Sequence, residues 1–148
     1  MVINFTKKQY KHLLDLVFLG EWTANAIATG INVNKEYKAM LEYISLRAEE
    51  FGHGELFDNE FHPGEASPTF EYEQEMFAII DRYENEVFWD ELADRLAKRD
   101  LINHDEYDNH EEYLREMSDI SAKYYEEFDK NGINNLILKK GYYLKLIK

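Results

Sequence analysis

The chain contains no cysteine, and this absence excludes a whole class of chemistry. Without thiols the protein has no disulfide, no thiolate metal site and no cysteine nucleophile. The absence fits a reducing compartment, so we expect a cytoplasmic protein. At the N-terminus the charged residues follow the apolar ones and no cleavage site comes after them, which is not the pattern of a signal peptide.

Long apolar runs are also missing. The longest apolar stretch, residues 13–28, is interrupted by Asp15, Glu21 and Asn25. A membrane-spanning helix needs about 20 mostly apolar residues. The sequence therefore predicts no membrane partner.

Basic residues are scarce in the middle of the chain. Residues 48–129 hold 26 of the 30 acidic residues but only six of the 17 Lys and Arg, and none of these lies between Arg47 and Arg82. Such an acidic block repels nucleic acid and attracts basic proteins or divalent cations. The alternative is that the acidic block only keeps the protein soluble.

Apolar residues are abundant in spite of this charge. They make up 45% of the 148 residues, and aromatic residues make up 15%. This composition is enough for one domain over residues 1–148 with a sizeable core. Apolar residues recur mainly at helical spacing. We therefore predict a mostly α fold, a bundle of four to five helices with a small C-terminal β-hairpin.

Local signals set the expected bounds of these helices. Thr6 and Gln9 form a capping box that begins a helix ending near Gly30, and Asn34 caps a second helix that Gly52 ends. The remaining predicted helices cover residues 71–84, 86–101 and 105–130. The first two of these meet at a bend, where Asn85 is the expected N-cap, and the last ends at Asn131-Gly132.

Asn25 is a polar residue in the apolar stripe of the first helix. It is either a satisfied core amide or part of a small cleft.

Two segments do not follow the helical pattern. Residues 53–70 contain both prolines and are predicted to form a long loop. Residues 133–148 are predicted to form a β-hairpin around Gly141. An isolated hairpin is marginal in water, so this one would pack on the helices or pair with a second copy in a homodimer.

No catalytic motif is present. The sequence has no glycine-rich phosphate loop, no nucleophile elbow and no His-Glu-x-x-His pair. We therefore predict no catalytic residue and no cofactor. The segment Phe88-Trp89-Asp90-Glu91-Leu92 places a Trp beside acids, and helix amphipathicity alone explains that arrangement.

Two groups of residues are candidate sites. The first is an acidic interaction surface that would meet a basic protein partner, and in its sharpest form would mimic the phosphates of a nucleic acid; its members are Glu55, Asp58, Glu60, Glu65, Glu71, Glu73 and Glu75. The second is a metal site of His104, Glu106, Asp108 and His110, whose i, i+4 spacing puts imidazole and carboxylate on one helix face. An ordinary acidic helix start explains the same residues.

Two stretches carry a family resemblance. Residues 19–27, LGEWTANAI, and residues 88–96, FWDELADRL, with Arg99-Asp100 after them, resemble an uncharacterised family of short acidic prokaryotic helical proteins. The likeness extends to Gly132-Ile133. The resemblance implies a shared helical core, and no activity, cofactor or site carries over from it.

Together these features favour a non-enzymatic interaction or regulatory protein that uses an acidic surface. The alternative is a divalent-metal-binding protein or a metal-assisted hydrolase.

Overall fold

The computed structural model describes residues 3–58, 66–101 and 110–137, and most of them are helical. Within these ranges the α-helices are α1 (Lys7–Asn25), α2 (Lys35–Ser45), α3 (Phe70–Leu101) and α4 (His110–Asn131). Two short strands, β1 (Phe57–Asp58) and β2 (Ser67–Pro68), pair antiparallel. The predicted mostly α class is confirmed.

Capping residues mark helix ends where the sequence predicts them. The Thr6 side chain accepts a hydrogen bond from the Gln9 backbone N–H, and the Gln9 side chain accepts one from the Thr6 N–H at 2.9 Å. The Asn34 side chain accepts from the first backbone N–H groups of α2. Gly132 has a φ of +55° and its N–H donates to the Phe128 carbonyl, which closes α4.

The side chain of Asn25 is a satisfied amide at the end of α1. Its Oδ1 accepts from the Asn34 backbone N–H at 2.7 Å, and its Nδ2 donates to Glu21 Oε1 at 2.8 Å. These bonds tie the end of α1 to the cap of α2. Helix α1 therefore ends at Asn25, earlier than the predicted end near Gly30.

Helix α2 is shorter than predicted. It ends at Ser45, after which Arg47 and Ala48 make tighter i→i+3 hydrogen bonds to the carbonyls of Ile44 and Ser45. Two 3₁₀ turns follow, Glu49–Phe51 and Gly54–Leu56. Gly52 separates them with a φ of +71°, a conformation that favours glycine.

The helix boundary predicted at Asn85 is wrong, because α3 is one continuous helix of 32 residues. No Gly or Pro interrupts it. Its apolar stripe shifts because its two parts pack on different partners: Tyr72 contacts Phe18 of α1, whereas Trp89 contacts Phe128 of α4. The shift marks a change of partner and not a helix end.

The C-terminal position predicted for the hairpin is not supported. The small sheet lies within the segment that the sequence assigns to a loop, with Phe57 opposite Pro68 and Asp58 opposite Ser67. Burial of Phe57 in the core anchors it. Residues 133–137 form a turn and irregular structure, and residues 138–148 of the predicted hairpin lie outside the described residues.

The chain divides into two compact units, Met1–Tyr83 and Glu84–Lys148. The core of the first unit is built from residues of α1, α3, β1 and the segment between α2 and β1; its buried members are Tyr10, Leu14, Phe18, Ala48, Phe57, Tyr72, Met76 and Ile80. In the second unit, Ala93, Ala97 and Leu101 of α3 and Phe128 of α4 are buried. A single domain over residues 1–148 stays a prediction.

None of the helices in the described ranges is both long enough and apolar enough to cross a membrane.

Candidate functional site: an acidic aromatic groove

The structure describes five of the seven acids of the predicted acidic surface. Glu55 lies in a 3₁₀ turn, Asp58 in β1, and Glu71 and Glu73 in the first turn of α3. Asp58 and Glu73 are half-buried, and Asp58 already has an interaction partner. Glu60 and Glu65 lie outside the described residues. Glu55, Glu71 and Glu75 are exposed, and the acidic surface as a whole stays a prediction.

Glu75 takes part in a polar network inside the first unit. Lys11 Nζ lies 3.2 Å from Glu75 Oε1 and 2.7 Å from Asp15 Oδ1. The Tyr72 hydroxyl donates to the same Asp15 oxygen at 3.0 Å. Burial acts to lower the pKa of Lys11, but the hydrogen bonds with Asp15 and Glu75 outweigh it and raise that pKa. Glu75 thus neutralises an internal cation.

Only one residue of the predicted metal site can be located. His110 is the first residue of α4, is exposed, and stacks on Tyr113 with ring centroids 6.3 Å apart. His104, Glu106 and Asp108 lie outside the described residues. Within the described ranges, no three His, Asp or Glu side chains converge as metal ligands would. The metal site stays a prediction.

A groove in the second unit combines acidic and aromatic side chains. Its volume is about 500 Å³, and helices α3 and α4 form its walls. Its lining contains no Lys or Arg and consists of Asn85, Glu86, Trp89, Asp90, Tyr125, Phe128 and Asp129. We call this feature the α3–α4 groove.

Helical spacing explains why these residues share one surface. Glu86 and Asp90 are four residues apart on α3, and Tyr125 and Asp129 are four apart on α4, so each pair lies on one helix face. Glu86, Asp90 and Asp129 are all exposed. The groove therefore has carboxylates on both walls.

Trp89 is the central ring of the α3–α4 groove. Its ring lies 5.4 Å from that of Phe128, and its Nε1 donates to the Asn85 Oδ1 at 3.3 Å. Phe88 packs edge-on against it with centroids 4.9 Å apart. These contacts hold the half-buried indole in place while the groove keeps access to it.

The acids alter the neighbouring phenol of the α3–α4 groove. Burial raises the pKa of Tyr125, and the adjacent Asp90 carboxylate raises it further by hydrogen bonding and by its charge. The phenol therefore stays neutral and polar at physiological pH. The lining carries three negative charges with no basic side chain among its members.

This arrangement suits a cation. A Lys or Arg head group is attracted by the face of a Trp or Tyr ring within about 6 Å and by nearby carboxylates. Trp, Tyr and Arg are also the residues that dominate binding energy at protein interfaces. The α3–α4 groove offers the aromatic and anionic half of such a contact.

The sequence analysis found one side of this groove and missed the other. It singled out the Trp89-Asp90 pair but explained it by amphipathicity. Tyr125, Phe128 and Asp129 lie more than 30 residues further along the chain. A signal was present, because Tyr125 and Asp129 share the i, i+4 spacing of Glu86 and Asp90, but it does not show which helix faces which.

No family model, no curated protein and no solved structure matches the chain. The resemblance to short acidic prokaryotic helical proteins therefore stays a prediction.

Proposed function

We propose that the protein is a non-enzymatic interaction protein that binds a basic protein partner through the α3–α4 groove. The observation that carries this proposal is a Trp ring in a groove whose lining has three carboxylates and no basic residue. A Lys or Arg side chain of the partner would lie against Trp89, between the acids of the two helices. The positive charge of that side chain would balance the carboxylates of the groove, whose lining has no basic residue of its own.

The charge of the whole chain supports the same partner. A net charge of −13 attracts basic macromolecules over distances longer than a direct contact and raises their association rate. Aromatic and acidic side chains together then give the local contact its specificity. The proposed function is still the acidic interaction function inferred from the sequence. Its proposed binding site is the α3–α4 groove instead of residues 55–75.

The test is a binding titration with a fluorescent peptide of alternating Lys and Gly. The groove variant is Asp90→Asn with Asp129→Asn. The matched control is Glu111→Gln with Asp119→Asn, which removes the same charge from exposed positions of α4 outside the groove. Fluorescence anisotropy measures the dissociation constant of each protein.

We expect the groove variant to bind the peptide about tenfold more weakly, because two charge contacts of about 0.7 kcal/mol each are lost. The control should change the affinity by about twofold or less, through the long-range charge alone. Added salt should weaken binding to the unmodified protein. Equal losses in the two variants would show that only the net charge attracts the peptide and would overturn the proposal.

A further inference from the structure

The side chains that line the α3–α4 groove mainly accept hydrogen bonds. The Trp89 Nε1–H already donates to Asn85 Oδ1 at 3.3 Å, and the Tyr125 hydroxyl is already hydrogen-bonded to the Asp90 carboxylate. The carboxylates of the lining have only acceptors to offer a ligand, because an ionised carboxylate has two oxygens and no hydrogen to donate. The groove therefore suits a ligand group that donates hydrogen bonds and accepts none.

Trp89 offers its ring, and not its N–H, to a ligand in the groove. Its N–H is bonded to Asn85, so contact with the indole is contact with the π system. A flat guanidinium stacks on such a ring and is weakly hydrated, whereas an ammonium is a compact and strongly hydrated point charge. A half-buried ring that removes part of the water around its ligand therefore favours the guanidinium.

The acids of the groove are spread over its two walls. Glu86 and Asp90 lie one turn apart on α3, about 6 Å along the helix axis, and Asp129 lies on α4. The hydrogen bond between Tyr125 of α4 and Asp90 of α3 places the Asp90 carboxylate on the side of α3 that faces α4. A guanidinium directs five N–H groups outward in one plane, whereas an ammonium has three around a single atom. The flat group can therefore donate to both walls while it lies on the Trp ring.

We propose that the α3–α4 groove selects arginine over lysine side chains of its partner. The guanidinium stacks on the Trp89 ring, donates from one edge to Asp90 and from another to Asp129 on the opposite wall. Tyr125 is a positioning residue, because its hydroxyl holds the Asp90 carboxylate towards α4. This inference rests on the proposed function, since it names the side chain that the groove takes from a basic protein partner.

The experiment compares two fluorescent peptides of the same length and charge, one of alternating Arg and Gly and one of alternating Lys and Gly. Both are titrated into the full-length protein at the same salt concentration, and fluorescence anisotropy gives the dissociation constants. We expect the Arg peptide to bind about fivefold more tightly, through stacking and the planar set of donors. Equal affinities of the two peptides would overturn the selection of arginine.

A third peptide separates the donors of the guanidinium from its charge. It carries asymmetric dimethylarginine in place of each Arg, which keeps the positive charge and blocks part of the hydrogen-bonding edge. We expect it to bind at least about threefold more weakly than the unmethylated Arg peptide. Equal binding of these two peptides would contradict the hydrogen bonds to both walls.

Two variants locate the preference in the groove. Trp89→Leu removes the ring and should reduce the preference for Arg to less than about twofold. Asp90→Asn with Asp129→Asn should weaken both peptides and reduce the preference to less than about twofold. This second variant keeps Trp89 and its packing, so it decides the matter if Trp89→Leu fails to fold by circular dichroism. The control, Glu111→Gln with Asp119→Asn, should keep the preference of about fivefold.

The outcomes separate this inference from the proposed function. If the two peptides bind equally and only the groove variant weakens them, the selection of arginine fails and the proposed function stands. If the preference for Arg persists in the groove variant, it arises elsewhere on the chain and the selection again fails. If the groove variant and the control lose equal affinity for the Lys peptide, the proposed function fails, and the selection of arginine fails with it.

Discussion

At the scale of single residues, two buried hydroxyl groups of the first unit have opposite surroundings. The Tyr72 hydroxyl donates to Asp15, which also binds Lys11, so every group in that network has a partner. The Ser45 hydroxyl has no partner within the described ranges. Tyr72 therefore stabilises the core, whereas the unpaired hydroxyl of Ser45 weakens it.

Replacing Ser45 by Ala tests this difference. We expect Ser45→Ala to raise the free energy of unfolding by about 1 kcal/mol, because it removes a buried hydroxyl that has no hydrogen bond. Ser118→Ala is the control: Ser118 is an exposed residue of α4, and its replacement should gain only the few tenths of a kcal/mol that separate Ser and Ala in helix propensity. Urea denaturation measures both, and a loss of stability in Ser45→Ala would contradict the account.

Tyr72 makes the free energy of unfolding depend on pH in the alkaline range. Burial, and then the charge and hydrogen bond of Asp15, raise its pKa far above the usual value. Above about pH 10 the unfolded chain therefore loses a proton that the folded chain retains, so the free energy of unfolding falls as the pH rises. Tyr72→Phe should reduce this fall by at most about 1.4 kcal/mol per pH unit. The slope of unfolding free energy between about pH 10 and 11 is the readout, and an equal slope in both proteins would rule out this role.

At the scale of elements, α3 is the clearest departure from the sequence prediction. A change of apolar stripe near Asn85 suggests two helices, yet the backbone continues without a break. The buried face of a helix depends on which element packs against it. A shift of the apolar stripe alone therefore does not mark the end of a helix. A helix end needs a cap, a Gly or a Pro as well.

A proline at position 86 distinguishes the two interpretations. If a helix began after Asn85, position 86 would be its first residue, where Pro is well tolerated. In the interior of a continuous α3, Glu86→Pro should instead lower the free energy of unfolding by about 3 kcal/mol. Glu86→Ala controls for loss of the carboxylate and should be nearly neutral. Circular dichroism during denaturation measures both, and a Pro variant as stable as the Ala variant would show that α3 is broken there.

How far the sequence predicts each element depends on how local its signal is. The capping box at Thr6, the cap at Asn34 and the stop at Gly132 each need only a few neighbouring residues, and all three were predicted. The strands β1 and β2 have two residues each, too few for a period of two to be detected. The α3–α4 groove requires Trp89 and Phe128 to meet, and nothing local in the sequence indicates which helix faces which.

At the scale of the whole molecule, the acids of the acidic block have different surroundings. Some of its charges pair with basic residues of the same chain, such as Glu75 with Lys11 and Glu91 with Arg95. The acids of the α3–α4 groove face a lining with no basic residue. The net charge of −13 brings basic partners near, and we infer that this groove is where their side chains are bound.

The two Trp residues allow a direct measurement of this central claim. Trp89 lies in the α3–α4 groove, whereas Trp22 packs on the core of the first unit. In ¹⁵N NMR spectra their indole N–H signals report the two places separately. Titration with the peptide of alternating Lys and Gly should shift the Trp89 indole signal in a saturable way and leave the Trp22 signal in place. An unmoved Trp89 signal at saturating peptide, or equal shifts of both, would contradict the account.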